Sequence, residues 1–253
     1  RKTLAMLMWF LKHELNFKTM QLFYNSEIKN GDSTFFFDKE ESKHIVKVLR
    51  KKESDKIFIT NGLGYLFESE IILASEKKCE VKIIKETFQQ PDTFYTHIAV
   101  APTKMNDRLE WFLEKATEIG IHEITPIICD HSERKVYKID RAEKIIQAAM
   151  KQSLHYYLPK INEPISLSHF VKSNIDGQKF IAHCEETDKK SFQKEIAKNE
   201  KVTILIGPEG DFSTKEINLA IANQFIPVTL GNTRLRTETA ALVACHTIAL
   251  LNE

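Results

Sequence analysis

The chain has 253 residues, of which 42% are hydrophobic, and its formal net charge is +1. A chain of this kind can bury a sizeable core in one or two domains, and its near-neutral charge excludes a strong overall attraction to nucleic acid, so any such contact has to rest on a local patch. The four cysteines form no C-x-x-C pair, which argues against zinc and disulfides and favours a reduced, cytoplasmic protein.

The first nineteen residues contain an apolar run at positions 4–11. The run is too short to cross a bilayer and no small-residue cleavage site follows it, which argues against a membrane protein and a signal peptide. We interpret residues 1–19 as an N-terminal extension and expect the first domain to start at Met20.

Residues 20–90 have the pattern of a small β-rich domain. Runs rich in β-branched and aromatic residues predict strands at 35–37, 56–60, 65–73 and 80–84. Gly62 and Gly64 indicate a hairpin between the second and third runs, and residues 40–49 have helical spacing.

A basic cluster lies in and just after this predicted helix. Five cations close in sequence are of the kind that neutralises phosphates: Lys43, Lys47, Arg50, Lys51 and Lys52. Glu40, Glu41 and Glu53 flank them, so charge alone favours a solvated helix face over a nucleic-acid contact.

Pro91 and Asp92 mark the boundary to a second domain, residues 91–253. Its first strand is predicted at 96–101, followed by a loop at 102–106 and a helix.

This helix is expected to begin with a capping box of Asp107 and Glu110 and to end at Gly120, before a strand at 121–128. A strand, a helix and a strand in this order predict a parallel sheet.

Further along, a helix is predicted at 141–157 and a strand at 179–183. His183, at the end of that strand, is as compatible with a structural role as with a ligand contact. The histidines form no H-E-x-x-H pair, so the sequence indicates no metal site.

A first glycine-containing loop follows a β-branched run at 202–206. Gly207 and Gly210 bracket a tight turn, and Ser213 with Glu216 has the spacing of a capping box that opens a helix.

A second loop, from Gly231 to Arg236, follows a strand after Pro227 and precedes an Ala-rich helix for which Thr237 is the expected N-cap. Two such loops predict the carboxyl edge of a parallel sheet, where ligands bind in open α/β folds.

The ligand of these loops is not expected to be a phosphate. The chain has neither G-x-x-x-x-G-K-[ST] nor G-x-G-x-x-G. Glu209, Asp211 and Glu238 place carboxylates at or near the loops, which favours a cationic or neutral ligand. Taken alone, Gly207 and Gly210 fit an ordinary tight turn between a strand and a helix equally well.

Together, GPEGDFS at 207–213 and LGNTRLRTETAAL at 230–242 resemble the two cofactor loops of the ribosomal RNA small subunit methyltransferase E family, within the SPOUT superfamily. The segment HIVKVLR at 44–50 is similar to that family's signature in its PUA-like, RNA-binding N-terminal domain. The resemblance implies an α/β fold in which a small PUA-like β-barrel domain precedes a SPOUT-type parallel sheet with a C-terminal trefoil knot.

The family methylates N3 of a uridine in 16S ribosomal RNA with S-adenosylmethionine, and the resemblance implies this activity here. It also implies a cofactor site that consists of His183, Ile206, Gly207, Pro208, Glu209, Gly210, Leu230, Gly231, Leu235, Thr237 and Ala240.

Arg236 and Glu238 are the expected catalytic residues. Methyl transfer from a sulfonium is an in-line displacement, and the proton on uracil N3 has to leave. Arg236 is expected to stabilise charge on the uracil oxygens. Glu238 is expected to accept the proton or to hold Arg236, although favourable interaction with the helix dipole is its simpler role.

RNA contacts are expected in both domains. The resemblance assigns them to Lys43, Lys47 and Arg50 in the first domain and to Lys104 and Arg134 in the second.

The chain departs from the family pattern at two positions. Ser54 stands where glycine is usual, so the turn there is expected to differ. After Gln152 and Ser153 the family has an arginine, for which His155 would be a weaker, pH-dependent substitute.

The resemblance further implies a homodimer that acts on the small ribosomal subunit in the cytoplasm, without a metal or a membrane. The Ala-rich last helix fits a dimer interface and a core position equally well. Two alternatives stay open: a non-catalytic RNA-binding or ribosome-assembly factor, and a SPOUT methyltransferase that acts on another RNA site.

Overall fold

The computed structural model describes residues 20–185 and 189–253, so the predicted extension at 1–19 lies outside the described residues. The chain divides between Pro91 and Asp92 into two compact units, called here the N-terminal unit and the C-terminal unit.

The described part of the N-terminal unit is built on a five-stranded sheet. Its strands are β1 (Leu22–Tyr24), β2 (Thr34–Phe36), β3 (Lys56–Thr60), β4 (Tyr65–Leu73) and β5 (Glu80–Phe88). They lie in the order β1-β3-β4-β5-β2; β1 is parallel to β3 and the other pairs are antiparallel. Buried side chains such as Phe23, Ile59 and Phe67 form the core of this unit.

The helix predicted at 40–49 is confirmed, with a change of geometry halfway. Helix α1 (Lys39–Lys43) begins after Asp38, whose Oδ1 accepts a hydrogen bond from the Glu41 amide, and it continues as a π-helical turn from His44 to Val48. Ser54, where glycine is usual, has a φ of 72°. The serine therefore adopts a left-handed conformation that favours glycine.

The C-terminal unit contains a parallel sheet, as predicted. Its strands are β6 (Tyr95–Val100), β7 (Glu123–Ile128), β8 (Lys160–Ile161), β9 (Ile165–Ser166), β10 (Gln178–Ala182), β11 (Lys190–Ser191), β12 (Lys201–Ile206) and β13 (Ile226–Thr229). Their order is β11-β13-β10-β12-β6-β7-β8, β9 also pairs with β7, and every pair is parallel.

Helices cover both faces of this sheet. They are α2 (Asn106–Ile119), α3 (Ile139–Gln152), α4 (Leu167–Phe170), α5 (Phe192–Glu195), α6 (Thr214–Ala222) and α7 (Thr237–Asn252). Successive strand residues face opposite sides, so Ile204 packs in a larger core with α2, α3 and α7, while Leu205 packs in a smaller core with α4 and α6. The α/β fold class is confirmed, and the trefoil knot stays a prediction.

The capping box predicted for α2 is wrong. The helix begins at Asn106, and Met105 precedes it without a capping hydrogen bond from its side chain. Asp107 accepts from the neighbouring Arg108 amide, and Glu110 pairs with Arg141 at 2.6 Å. The end of the helix at Gly120 is confirmed, with a left-handed φ of 96°.

The helix predicted at 141–157 is α3 and ends earlier, at Gln152. Leu154 has a φ of 59°, which turns the chain out of the helix without the glycine that usually signals such a stop. As a result His155 lies against the end of α2, with Nε2 3.1 Å from the Glu118 carbonyl oxygen. Within the described residues, no helix has the length and apolar character needed to cross a membrane.

Candidate functional site

The two glycine-containing loops lie at the carboxyl edge of the parallel sheet. Strands β10, β12 and β13 are neighbours and end at Ala182, Ile206 and Thr229. Because parallel strands end at the same edge, the segments that follow them meet there.

The first loop, residues 207–213, is a tight turn with a confirmed capping box. The Asp211 amide donates to the Pro208 carbonyl oxygen at 2.9 Å, and Asp211 has a φ of 62°. Ser213 Oγ accepts from the Glu216 amide, while Glu216 Oε2 accepts from the Ser213 amide. A β-carbon on Gly207 would lie only 3.0 Å from the Phe212 ring, so any larger residue there would require this ring to shift.

The second loop, residues 230–236, is joined to the first by one side chain. Thr237 is not the N-cap of α7, as predicted, but its first residue; Arg236 takes the cap position and makes no capping hydrogen bond. The Thr237 hydroxyl donates instead to the Gly207 carbonyl oxygen at 3.0 Å and is buried. This bond fixes the start of α7 to the first loop.

A cavity of about 260 Å3 lies between the loops, called here the cofactor cavity. Its lining includes seven of the predicted cofactor residues together with Arg236: Ile206, Gly207, Pro208, Glu209, Leu235, Thr237 and Ala240. Four further lining residues were not predicted: Ala182, Cys184, Asp211 and Arg234. Ala182 and Cys184 flank the predicted His183 at the end of β10. Their position beside His183 could have identified them as lining residues.

Three predicted cofactor residues, Gly210, Leu230 and Gly231, lie outside this lining. Leu230 and Gly231 border a separate cavity of about 230 Å3, together with Thr229 and Ser191. Gly231 has a φ of 149°, and no other group lies within 4 Å of where its β-carbon would be.

His183 also lies outside the lining and is only 6% exposed. Among the described residues, neither ring nitrogen has a hydrogen-bond partner. Burial and the nearby charge of Lys189 lower the pKa of His183, so the ring is neutral and retains one donor and one acceptor.

The carboxylates of the first loop bind neighbouring backbone. Glu209 Oε1 accepts from the Lys104 amide at 3.0 Å, and Asp211 Oδ2 accepts from the Cys184 amide at 2.7 Å. Arg234 and Arg236 are exposed, and their guanidinium groups form no hydrogen bond or ion pair with the described residues. The cavity thus has two carboxylates and two guanidinium groups, a more balanced charge than the sequence suggested.

The two predicted catalytic residues face different cavities. Arg236 lines the cofactor cavity, whereas Glu238 borders one of about 380 Å3 beside Arg108 and Trp111. Glu238 is 7% exposed, and its buried Oε2 has no partner among the described residues.

The predicted RNA-binding residues of the C-terminal unit hold neighbouring loops together. Arg134 donates through Nε to the Thr103 carbonyl oxygen at 3.3 Å and through a terminal nitrogen to the Lys104 carbonyl oxygen at 2.8 Å. Lys104 Nζ pairs with Glu133 at 2.9 Å, and this pairing raises the pKa of Lys104.

The three predicted RNA-binding residues of the N-terminal unit are Lys43, Lys47 and Arg50. Each is exposed, and none forms an ion pair with the described residues. The described residues contain no group of three or more His, Cys, Asp or Glu side chains suited to hold a metal ion.

Comparison with family models identifies both units. Residues 90–249 match the RNA methyltransferase domain model, and residues 37–84 match the RNA methyltransferase PUA domain model. The chain is 33% identical to ribosomal RNA small subunit methyltransferase E of Buchnera aphidicola from Acyrthosiphon pisum, over 83% of this chain and 85% of the relative. It is 27% identical to the protein of the same name from Bacillus subtilis, over 87% of this chain and 91% of the relative.

Solved structures show the same likeness. A probable rRNA-methyltransferase from Porphyromonas gingivalis matches with a TM-score of 0.85 and 38% identity, over 92% of this chain and 98% of that one. A putative methyltransferase from Legionella pneumophila, in complex with its bound cofactor SAM, matches with a TM-score of 0.83, 27% identity and the same coverage.

Proposed function

Because this chain belongs to the ribosomal RNA small subunit methyltransferase E family, we propose that it methylates N3 of a uridine in 16S ribosomal RNA, with S-adenosylmethionine as the methyl donor. The observation that carries the proposal is the bond from Thr237 to Gly207, which joins the two family loops around one cavity beside Arg236. We include the trefoil knot of the family in the proposal.

The residues of the cofactor cavity fit the proposed donor. Ile206, Leu235 and Ala240 form an apolar wall suited to an adenine ring. Glu209 and Asp211 place negative charge near a ligand whose sulfonium is positive. Bound there, S-adenosylmethionine supplies the methyl group that is transferred.

The ring of buried His183, which has no hydrogen-bond partner among the described residues, is a second point of fit. A buried polar group without a hydrogen bond is unfavourable, so a cofactor atom that bonds to this ring would stabilise the bound state. We assign His183 to the cofactor contacts on this ground.

Arg236 is the catalytic residue of the proposal. Loss of the N3 proton leaves negative charge on the uracil oxygens, and an exposed guanidinium without a protein partner is available to bind it. The guanidinium group of Arg234 is exposed as well, two residues earlier in the same loop, and we assign it to the RNA backbone.

We assign Glu238 a role at the adjacent cavity, which it borders, rather than at the cofactor cavity. Its buried Oε2, without a partner in the described part of the chain, and the exposed Trp111 ring, 43% accessible, border the same space at the start of α7. An exposed aromatic side chain beside an unsatisfied carboxylate is suited to a protein interface. We therefore propose that a second copy of the chain covers this cavity in a homodimer.

RNA is bound by both units in this proposal. Lys43, Lys47 and Arg50 contact phosphates from the N-terminal unit, and Lys104 does so from the C-terminal unit. Arg134 keeps the loop that carries Lys104 in place through its two hydrogen bonds to backbone carbonyls. The ribosomal substrate places the protein in the cytoplasm.

Incubation of unmethylated small ribosomal subunits with the protein and labelled S-adenosylmethionine tests the proposal, with mass mapping of the nucleosides afterwards. We expect label in N3-methyluridine at one position of 16S ribosomal RNA, and far slower labelling of that position with Arg236→Ala. Binding to the subunit without label would favour a non-catalytic assembly factor, and label on another nucleotide or on a ribose would replace the proposed substrate.

A further inference from the structure

The amino edge of the parallel sheet, opposite the cofactor cavity, has a cluster of charged and polar side chains. Four strands begin there with Tyr95, Glu123, Lys160 and Lys201. Tyr95 is paired with Lys201, and Glu123 with Lys160, so these residues lie side by side on one face.

The apolar core on this face stops halfway along the strands. Towards the carboxyl edge the face belongs to the smaller core, with Ala99, Ile127 and Leu205. His97, Thr125 and Thr203 lie two residues earlier in the same three strands, and all three are buried and polar. Parallel sheets are ordinarily covered by apolar side chains on both faces, so core packing alone does not account for these three residues.

Hydrogen bonds fix the cluster in one arrangement. Glu123 accepts from Asn162 Nδ2 at 2.7 Å, from Lys160 Nζ at 2.9 Å and from the Tyr95 hydroxyl at 3.0 Å. Asn162 Nδ2 also donates to Thr125 Oγ1 at 2.7 Å, and that oxygen lies 2.8 Å from His97 Nε2.

The charge state of the cluster follows from the same contacts. Burial lowers the pKa of His97 to about 4, so its ring is neutral at pH 7. Burial alone would raise the pKa of Glu123, but the hydrogen bonds from Asn162, Lys160 and Tyr95 lower this pKa, so the carboxylate is ionised.

A cavity of about 570 Å3, called here the amino-edge cavity, lies over these residues. Its volume is within the range of about 300–1,000 Å3 that is typical of small-molecule sites. Phe170, Ile165 and Ile175 provide apolar surface next to the polar wall, and the Phe170 ring packs against the His97 ring with centroids 5.5 Å apart. An apolar side next to hydrogen-bonding groups suits a flat heterocycle with polar substituents.

The polar wall has unused hydrogen-bond acceptors. Within the described residues, the Asn162 Oδ1 atom and the Glu163 carboxylate have no partner, and the Tyr95 oxygen has already donated its proton. Of the two lysines, Lys160 is bound to Glu123 and Lys201 lies 3.6 Å from Asp176. Three lining carboxylates therefore outnumber two lysines, which disfavours an anionic ligand.

We propose that the amino-edge cavity binds a nucleobase with an exocyclic amine, placing its ring against the apolar side and its amine against Asn162 Oδ1. The base comes from a free nucleoside or from an unpaired residue of RNA. This site is separate from the cofactor cavity and does not depend on the function proposed for that cavity.

Cytidine and uridine form a matched pair of probes, because they differ at the position that should meet Asn162. Cytidine has an amine there, whereas uridine has a carbonyl oxygen that would face another acceptor. In ligand-observed NMR titrations of the full chain we expect cytidine to bind at least about tenfold more tightly than uridine, the ratio that corresponds to one hydrogen bond.

Asn162→Leu replaces the amide with an apolar side chain of similar volume and should lower cytidine affinity about tenfold or more. The matched control, Asn30→Leu in the N-terminal unit, should leave cytidine affinity unchanged. Binding of S-adenosylmethionine should be the same in both variants, which shows that the C-terminal unit has folded. Equal binding of the two nucleosides, no binding of either, or cytidine affinity unaffected by Asn162→Leu would overturn the proposal.

Titration with a short single-stranded oligocytidylate distinguishes a free nucleoside from an unpaired RNA residue as the source of the base. Tighter binding of the oligonucleotide than of cytidine, lost in Asn162→Leu, supports a residue of RNA. Binding of cytidine without binding of the oligonucleotide supports a free nucleoside.

Discussion

The cofactor cavity and the amino-edge cavity lie at opposite edges of one sheet and are built in different ways. The cofactor cavity lies between two loops that one hydroxyl joins. The amino-edge cavity is formed by side chains on four strands, fixed by bonds to Glu123. The first site depends on the geometry of its loops, whereas the second depends on protonation and on the identity of each residue in the cluster.

The largest effect is expected at the cofactor cavity, from Arg236→Ala. Loss of the group that binds the uracil oxygens should lower the methylation rate roughly 100- to 1,000-fold. Single-turnover assays with labelled S-adenosylmethionine measure the rate, and calorimetry should show that the cofactor still binds. Arg234→Ala is the matched comparison, since Arg234 lines the same cavity but is assigned to the RNA backbone, so its loss should weaken RNA binding and leave the rate at saturating RNA nearly unchanged. Equal losses of that rate in the two variants would contradict the assignment.

Acid should lower the stability of the folded chain through His97 at the amino edge of the sheet. The pKa of His97 is lowered from 6.5 to about 4 in the folded chain, so between these values the unfolded state binds more protons. Stability is therefore lost as the pH falls, and lowering it from about 7 to about 4 should cost about 3 kcal/mol through His97.

Urea unfolding at the two pH values measures this cost. His97→Gln should remove that part of the pH dependence, whereas His169→Gln, at an exposed histidine, should retain it. The same change in the free energy of unfolding with pH in both variants would contradict the role of His97.

Gly231→Phe tests how far the cofactor cavity depends on the geometry of the second loop. We predict that the fold persists and that S-adenosylmethionine affinity falls by more than about tenfold, because a side chain at this positive φ strains the loop that carries Leu235 and Arg236 into the cavity lining. Gly31→Phe is a matched control: Gly31 also has a positive φ, 89°, and no group within 4 Å of its β-carbon position. Calorimetric titration with unchanged affinity in Gly231→Phe would count against the prediction.

The smallest effect is expected from Thr237→Val, which removes only the bond to Gly207. One buried hydrogen bond is worth about 1 kcal/mol, so cofactor affinity should fall roughly fivefold. Thr239→Val, in the same turn of α7, should leave the affinity unchanged in the same titration. Equal affinities in the two threonine variants would show that the loops do not need this bond.

The sequence predicted the cofactor cavity better than the amino-edge cavity for a physical reason. The residues of each family loop are close in the chain, and the spacing of Gly207, Gly210, Ser213 and Glu216 is that of a tight turn and a capping box, which formed as expected. The fold class followed from the alternation of strands and helices.

The remaining features depend on contacts between distant parts of the chain. Thr237 has the chemistry of an N-cap, but its hydroxyl binds a carbonyl 30 residues away. Leu154 ends α3 in a left-handed conformation that its residue type does not signal. The amino-edge cluster joins Tyr95, Glu123 and Asn162, which only the register of the sheet brings together.

The capping box of the first loop has one more contact. Glu216 is only 7% exposed, and while its Oε2 closes the box with Ser213, its Oε1 accepts from the Asp130 amide at 2.8 Å. Ser213 Oγ also donates to Asp130 Oδ2 at 2.7 Å. The turn after β12 and the turn after β7 thus share one anchor, so a chimera that exchanges either turn with a relative needs to carry both.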